Sequence, residues 1–219
     1  MDGIIKIRGA KNEQIYDILK KDILSLKLPP GKKISETIIA EQYGTSRSPV
    51  RDALRRLEQE GLIVIEPQIG TFISDVSFEE LIEIMQMKVV NDSLAAQLTA
   101  SRVDTEKIVP IRKALEKVKK MKIEDRVKEQ REFDSMLHML IFENCGNRYL
   151  TRLCIDLLYY AERVRRYTTP TPNQRLQASL VEHERILQSL ENKNPGEAYL
   201  NMKEHLEKVL EIMIRENRK

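Results

Sequence analysis

Residues 44–61 read GTSRSPVRDALRRLEQEG. Gly44, Thr45 and Ser46 are turn and cap residues, and the run that follows is helical in pattern until Gly61 closes it. Ser46 or Ser48 fits an N-cap, and Pro49 suits a first helical turn, where its missing N–H is no loss. Val50, Leu54 and Leu57 recur at helical spacing and form an inward stripe. Ser48, Arg51 and Arg55 fall on the other side, with Arg47 at the exposed amino end. Free N–H groups, hydroxyls and guanidinium groups at one helix end suit phosphates and the base edges of a major groove. The bland alternative is a solvated surface helix, since arginine-rich outer faces are common.

The flanking residues weigh against that alternative. Asn12 caps a helix with Ile15, Ile18, Leu19, Ile23 and Leu26 as its apolar positions, and Leu28-Pro29-Pro30-Gly31 breaks it. Lys32 to Ile34 reads as a brief strand. Ser35 caps a short helix holding Ile38, Ile39 and Ala40, which ends at Gly44. The arginine-bearing helix begins after a turn of about three residues, the spacing of a helix-turn-helix. Leu62 to Ile65 is strand-like, Pro67-Gln68-Ile69-Gly70 is a turn, and Thr71 to Ser74 returns. Three helices followed by a hairpin make a winged helix-turn-helix over residues 1–76.

Bulk composition says less. The 219 residues carry a formal charge of only +3, so nucleic-acid binding rests on local placement rather than on a polybasic tail. Cys145 and Cys154 form no disulfide framework and no thiolate metal motif, which suits a reducing interior. The opening MDGIIKIRGA lacks the apolar core of a signal peptide, and no run approaches a membrane span. The expectation is a soluble cytoplasmic protein. Few aromatics and no Trp argue against base-stacking modes of single-strand binding.

From Ser77, which has capping-box spacing to Glu80, the pattern is wholly helical. Six helices are expected over about 78–101, 105–122, 125–144, 147–168, 173–192 and 196–217. Short connections between them imply an antiparallel all-α bundle over residues 77–219, making the whole chain mainly α. Phe133, Leu137, Leu140 and Ile141 define the inward side of the third helix, with Asp134 and His138 one turn apart beside it. The two other histidines of the chain, His183 and His205, also lie on apolar faces. Burying a carboxylate and imidazoles is costly unless they pair or ligate an ion. Donors at i and i+4 can reach one metal. Three imidazoles and one carboxylate therefore point to a divalent transition-metal site, one ion per subunit, zinc or nickel by ligand type. A hydrogen-bonded Asp–His pair and ordinary core histidines stand as alternatives.

The stretch PPGKKISETIIAEQYGTSRSPVRDALRRLEQEGLIVIEPQIGTFIS resembles the DNA-binding domain of GntR-type bacterial transcription regulators. That resemblance implies that Ser46, Arg47, Ser48 and Arg51 contact operator bases and phosphates. It also implies that the wing tip, with Gln68 and Gly70, enters the minor groove. Family wings often carry a basic residue where this chain has Gln68, so a weaker wing contact is expected. Residues 77–216 are similar to the FCD ligand-binding domain of the FadR subfamily, through Asp134-x-x-x-His138 with ENCGN, EHERIL around His183 and MKEHL around His205. The likeness implies that all four residues hold the ion. Many members have an arginine early in the domain where this chain has Lys88, followed by Asn91 and Asp92. Lys88 is either an effector-binding cation or half of a surface i,i+4 ion pair with Asp92.

Together these readings describe a homodimeric regulator on a near-palindromic double-stranded operator, and the family resemblance further implies a repressor tuned by a small carboxylic acid. The rivals are a metal-dependent helical-bundle enzyme and a dimeric DNA-binding protein with a purely structural metal. No nucleophile motif supports the enzyme.

Overall fold

The computed structural model describes residues 12–122, 125–168 and 173–217. Packing divides the chain into two compact units, Met1–Ser77 and Phe78–Lys219. The break expected at Thr169 to Pro172 lies outside the described residues.

The first unit runs α1 (Asn12–Leu24), β1 (Lys33–Ile34), α2 (Glu36–Tyr43), α3 (Arg47–Gln59), β2 (Ile63–Glu66) and β3 (Gly70–Ile73). Ile15, Leu19 and Ile23 of α1 meet Ile39 of α2 and the Val50, Leu54 and Leu57 stripe of α3, all buried. Tyr16 joins this core, although periodicity alone did not select it. Its hydroxyl donates to Glu60, and the Arg56 guanidinium lies 3.9 Å from the ring centroid. Arg56 is thereby drawn onto α1, while Arg47 and Arg55 are exposed.

The turn between α2 and α3 is made by Gly44, left-handed at φ 63°, whose N–H bonds back to the carbonyls of Ala40 and Glu41. Only glycine adopts that conformation without cost. The three strands form an antiparallel sheet in the order β1-β3-β2, with Ile63 opposite Ile73 and Glu66 opposite Gly70. This is the winged helix-turn-helix the sequence predicts. Leu57 is fully buried at its centre. Leu57→Ala should destabilise this unit by about 2–5 kcal/mol, through lost burial plus the cavity left behind. A urea titration would show that as a lower midpoint at unchanged slope.

The second unit is helical throughout its described residues: α4 (Phe78–Ala100), α5 (Thr105–Lys119), α6 (Val127–Asn144), α7 (Arg148–Thr168), α8 (Asn173–Glu191) and α9 (Pro195–Asn217). Helix α4 is central and packs against α6, α7, α8 and α9. Its buried Ser93, Ala95, Ala96, Thr99 and Ala100 keep its surface small enough for neighbours to close in. Thr99 donates to the Ile141 carbonyl of α6 at 2.6 Å, tying the two helices together. The core is completed by Leu115 of α5, Phe133, Leu137 and Ile141 of α6, Ile186, Leu187 and Leu190 of α8, and Met202 of α9. Helix α5 stops at Lys119 rather than running on to Lys122, and α6 starts at Val127 rather than 125. Lysines crowd that end of α5, and Lys120 already leaves the helical hydrogen-bond ladder as its C-cap.

Candidate metal centre and nucleic-acid face

Three helices deliver the imidazoles and the carboxylate to one place. Asp134 and His138 project from α6, His183 from α8 and His205 from α9, and one donor atom of each lies within 4.8 Å of all the others. Asp134 Oδ1 is 2.9 Å from His183 Nε2 and 3.7 Å from His138 Nε2. The Nε2 atoms of His183 and His205 face each other at 3.2 Å. All three histidines are buried, and Asp134 is partly exposed. Phe133 presents itself edge-on to His183, and Phe142 leans on His138, so part of the wall is aromatic.

The protonation of His205 suits a cation. Burial, then the adjacent His183, brings the pKa of His205 down to about 3, which leaves the ring neutral. Neutral imidazole is the ligating form. Behind the donors stand two carboxylates. Glu182 Oε2 is 2.8 Å from His205 Nδ1, and both its oxygens accept from Arg175 at 2.9 and 2.7 Å. Burial opposes ionisation of Glu182, but the hydrogen bonds from His205 and Arg175 outweigh it and set the pKa at about 2. Asp92 Oδ2 accepts from Lys88 at 2.6 Å and lies 3.5 Å from His138 Nδ1, a buried nitrogen with no hydrogen bond made in this structure. Burial again opposes its charge, and Lys88 and His138 together outweigh that and hold the Asp92 pKa low.

Lys88 is only 4% exposed and Asp92 is fully buried. The pair is therefore not a surface pair, the alternative that i,i+4 spacing suggested. Glu182 and Arg175 were not singled out from sequence, and Asp92 entered only as the surface partner of Lys88. Their placement beside the histidines comes from tertiary packing, and no spacing in the chain signals it.

Ser46 occupies the N-cap position of α3 without a side-chain cap bond, and its hydroxyl is exposed beside the first-turn N–H groups. Arg47, Ser48 and Arg51 are exposed as well. Arg51 donates through Nε and Nη2 to Glu36 of α2, at 3.0 to 3.3 Å. At the hairpin, Gln68 is exposed and left-handed at φ 65°. Lys33 of β1 reaches across to it, donating to the Ile69 carbonyl at 2.7 Å. A Cβ on Gly70 would sit 2.5 Å from the Lys33 side chain, so glycine there makes room for the crossing. An ammonium thus stands at the wing although none is present at position 68. Its origin, 35 residues upstream in the chain, hides it from a motif reading.

Known proteins repeat this organisation. Residues 11–73 match the family described as "Bacterial regulatory proteins, gntR family", and residues 83–208 match the FCD domain. The HTH-type transcriptional regulator YdhC of Bacillus subtilis is 30% identical over 210 residues, covering 90% of this chain and 92% of that protein. The HTH-type transcriptional repressor RspR of Escherichia coli is 24% identical over 202 residues, 91% of this chain and 87% of its own length. Among solved structures, E. coli McbR/YncC aligns with a TM-score of 0.72 at 17% identity, covering 99% of this chain and 100% of that one. A GntR transcriptional regulator from Rhodococcus sp. RHA1 aligns at 0.66 and 18% identity, over 93% and 97% of the two chains. At such identities the solved structures speak for the fold alone. Among the described residues, no helix is long and apolar enough to cross a membrane.

Proposed function

Because the chain belongs to the GntR family of bacterial regulatory proteins and carries an FCD domain, we propose that it is a cytoplasmic, homodimeric repressor of the FadR subfamily that senses a small carboxylic acid at a divalent metal ion. The observation that carries the metal reading is the convergence of Asp134, His138, His183 and His205 donors within 4.8 Å. The residues fit an ion. Two buried Nε2 atoms at 3.2 Å, one of them on the neutral His205 ring, need a proton or a cation between them. A divalent ion there would supply positive charge and open coordination positions for a carboxylate. Zinc or nickel suits the donor set. Lys88 belongs to the same site, and an acid effector reaching it would compete with Asp92 for its ammonium.

On the DNA side, Arg47 and Arg51 read or clamp the operator from the major groove, and the α3 N-terminus with Ser46 and Ser48 takes phosphates. Gln68 and Gly70 form the wing tip, and Lys33 supplies the charge that helps it hold the minor groove. A second copy of the chain is suggested by the outward apolar side chains Met87, Val90 and Leu94 of α4 beside Leu153 and Tyr159 of α7, helices that pack together. Two heads related by a two-fold axis match a near-palindromic operator. Effector binding would shift the population between binding-competent and released dimers.

Native mass spectrometry tests the assembly in one measurement. The expected spectrum is a dimer carrying one divalent ion per subunit, with metal lost after chelator treatment. A monomer, or a protein that takes up no zinc or nickel when either is supplied, overturns this reading. Turnover of a substrate without DNA would favour the enzyme instead.

A further inference from the structure

The histidine cluster is backed by two arrangements of the same kind on opposite elements. In one, His138 of α6 faces Asp92 of α4, which holds Lys88 of the same helix: Nδ1 to Oδ2 at 3.5 Å, then Oδ2 to Nζ at 2.6 Å. In the other, His205 of α9 faces Glu182 of α8, which holds Arg175: Nδ1 to Oε2 at 2.8 Å, then two guanidinium bonds at 2.9 and 2.7 Å. All six side chains are buried. Resting on the metal reading above, we propose that Asp92 and Glu182 are positioning residues for the ion. Each accepts a hydrogen bond from the Nδ1–H of its histidine and so turns the Nε2 lone pair toward the metal, while Lys88 and Arg175 keep the carboxylates themselves out of the coordination sphere.

The chemistry runs from the ring outward. A neutral imidazole carries one proton, and a carboxylate beside Nδ1 holds it there, leaving Nε2 as the donor. Arg175 Nη2 also lies 3.2 Å from His205 Nδ1 and, as a pure donor, favours the opposite tautomer. The carboxylate is nearer to Nδ1, at 2.8 Å against 3.2 Å, and Arg175 makes its two shorter bonds to Glu182. His183 is steered differently, by Asp134 at 2.9 Å on its metal-facing side. An uncompensated carboxylate at position 92 or 182 would bind the ion directly or quench its charge. Lys88 and Arg175 each cancel one negative charge, so a divalent ion would be offset only by Asp134. The loaded site then keeps a net charge of +1, which is suited to a singly charged carboxylate.

Zinc affinity of the full-length protein is measured by competition with a chromophoric chelator for the natural chain, Glu182→Gln and Asp92→Asn. Each variant should bind zinc about 10- to 100-fold more weakly, as loss of an outer partner does elsewhere. Thermal midpoints of the metal-free proteins separate this from general damage, since loss of positioning lowers the zinc-induced rise in midpoint. Proton–nitrogen correlation spectra of the zinc-loaded natural protein give a readout that needs no variant. They should show His138 and His205 protonated at Nδ1 and bound through Nε2. Zinc bound through Nδ1 of either ring, or unchanged affinity in both variants, overturns the positioning role while leaving the metal site standing. A natural chain that takes up no zinc overturns both.

Discussion

His183→Ala should leave a folded protein that holds a divalent ion about a hundredfold more weakly. Among the four donors His183 is the one in closest contact with two others, at 2.9 Å from Asp134 and 3.2 Å from His205. Structural zinc in small peptides is bound with about 10–16 kcal/mol, so one ligand of four accounts for roughly 3 kcal/mol, or two decades of affinity. Alanine also opens a gap beside Phe133, into which water can enter and satisfy Asp134. The fold itself should survive. His183 is flanked on α8 by the buried Leu180, Ile186, Leu187 and Leu190, which keep that helix seated. Competition with a chromophoric chelator, and elemental analysis after gel filtration in zinc-free buffer, would detect the loss, and circular dichroism would verify that helicity is retained. Stoichiometric zinc in the variant would remove His183 from the ligand set.

Why this cluster was legible, and its support was not, follows from where the signals reside. Asp134 and His138 are four apart on a helix whose apolar face is clear, so their shared direction is written locally. His183 and His205 each sit at helical spacing from leucine or methionine, which marks them as inward. Four such residues in one bundle have few places to go. Asp92 and Glu182 carry no such mark. Glu182 is adjacent to His183 in sequence and points to a different ring, a pairing set by how α8 meets α9. Lys88 and Asp92 show the opposite error. Their spacing reads as a solvated ion pair, yet α4 is packed by neighbours on several sides, and i,i+4 spacing says nothing about burial. The winged unit was legible because its punctuation is strong: Pro29-Pro30-Gly31, Gly44 and Gly61 each fix a boundary. Lys33 was not, since only the β1–β3 pairing brings it to the turn.

Arg47→Ala and Arg51→Ala should each weaken operator binding by roughly 10- to 100-fold, and together abolish it at working protein concentrations, without unfolding the head. Both guanidinium groups are exposed and neither contributes to the Ile15, Leu54 and Leu57 core, so denaturation midpoints should stay near the natural value. The two positions are not equivalent. Arg47 is the first residue of α3, where its charge adds to the helix N-terminus and to the Ser46 hydroxyl; its removal should reduce the salt slope of binding and weaken all sequences alike. Arg51 lies a turn further in and is held by Glu36, with Nε and Nη2 both engaged. That clamp fixes the plane of the guanidinium before DNA arrives, which lowers the ordering cost of a base contact. Arg51→Ala should therefore flatten discrimination between operator and scrambled duplex more than it lowers non-specific affinity. Glu36→Gln should show a milder version of the same change, because the arginine remains but its plane is less restrained. Fluorescence anisotropy with operator and scrambled duplexes across a salt series distinguishes these effects. Operator affinity unchanged in both arginine variants would move the recognition surface off α3 altogether.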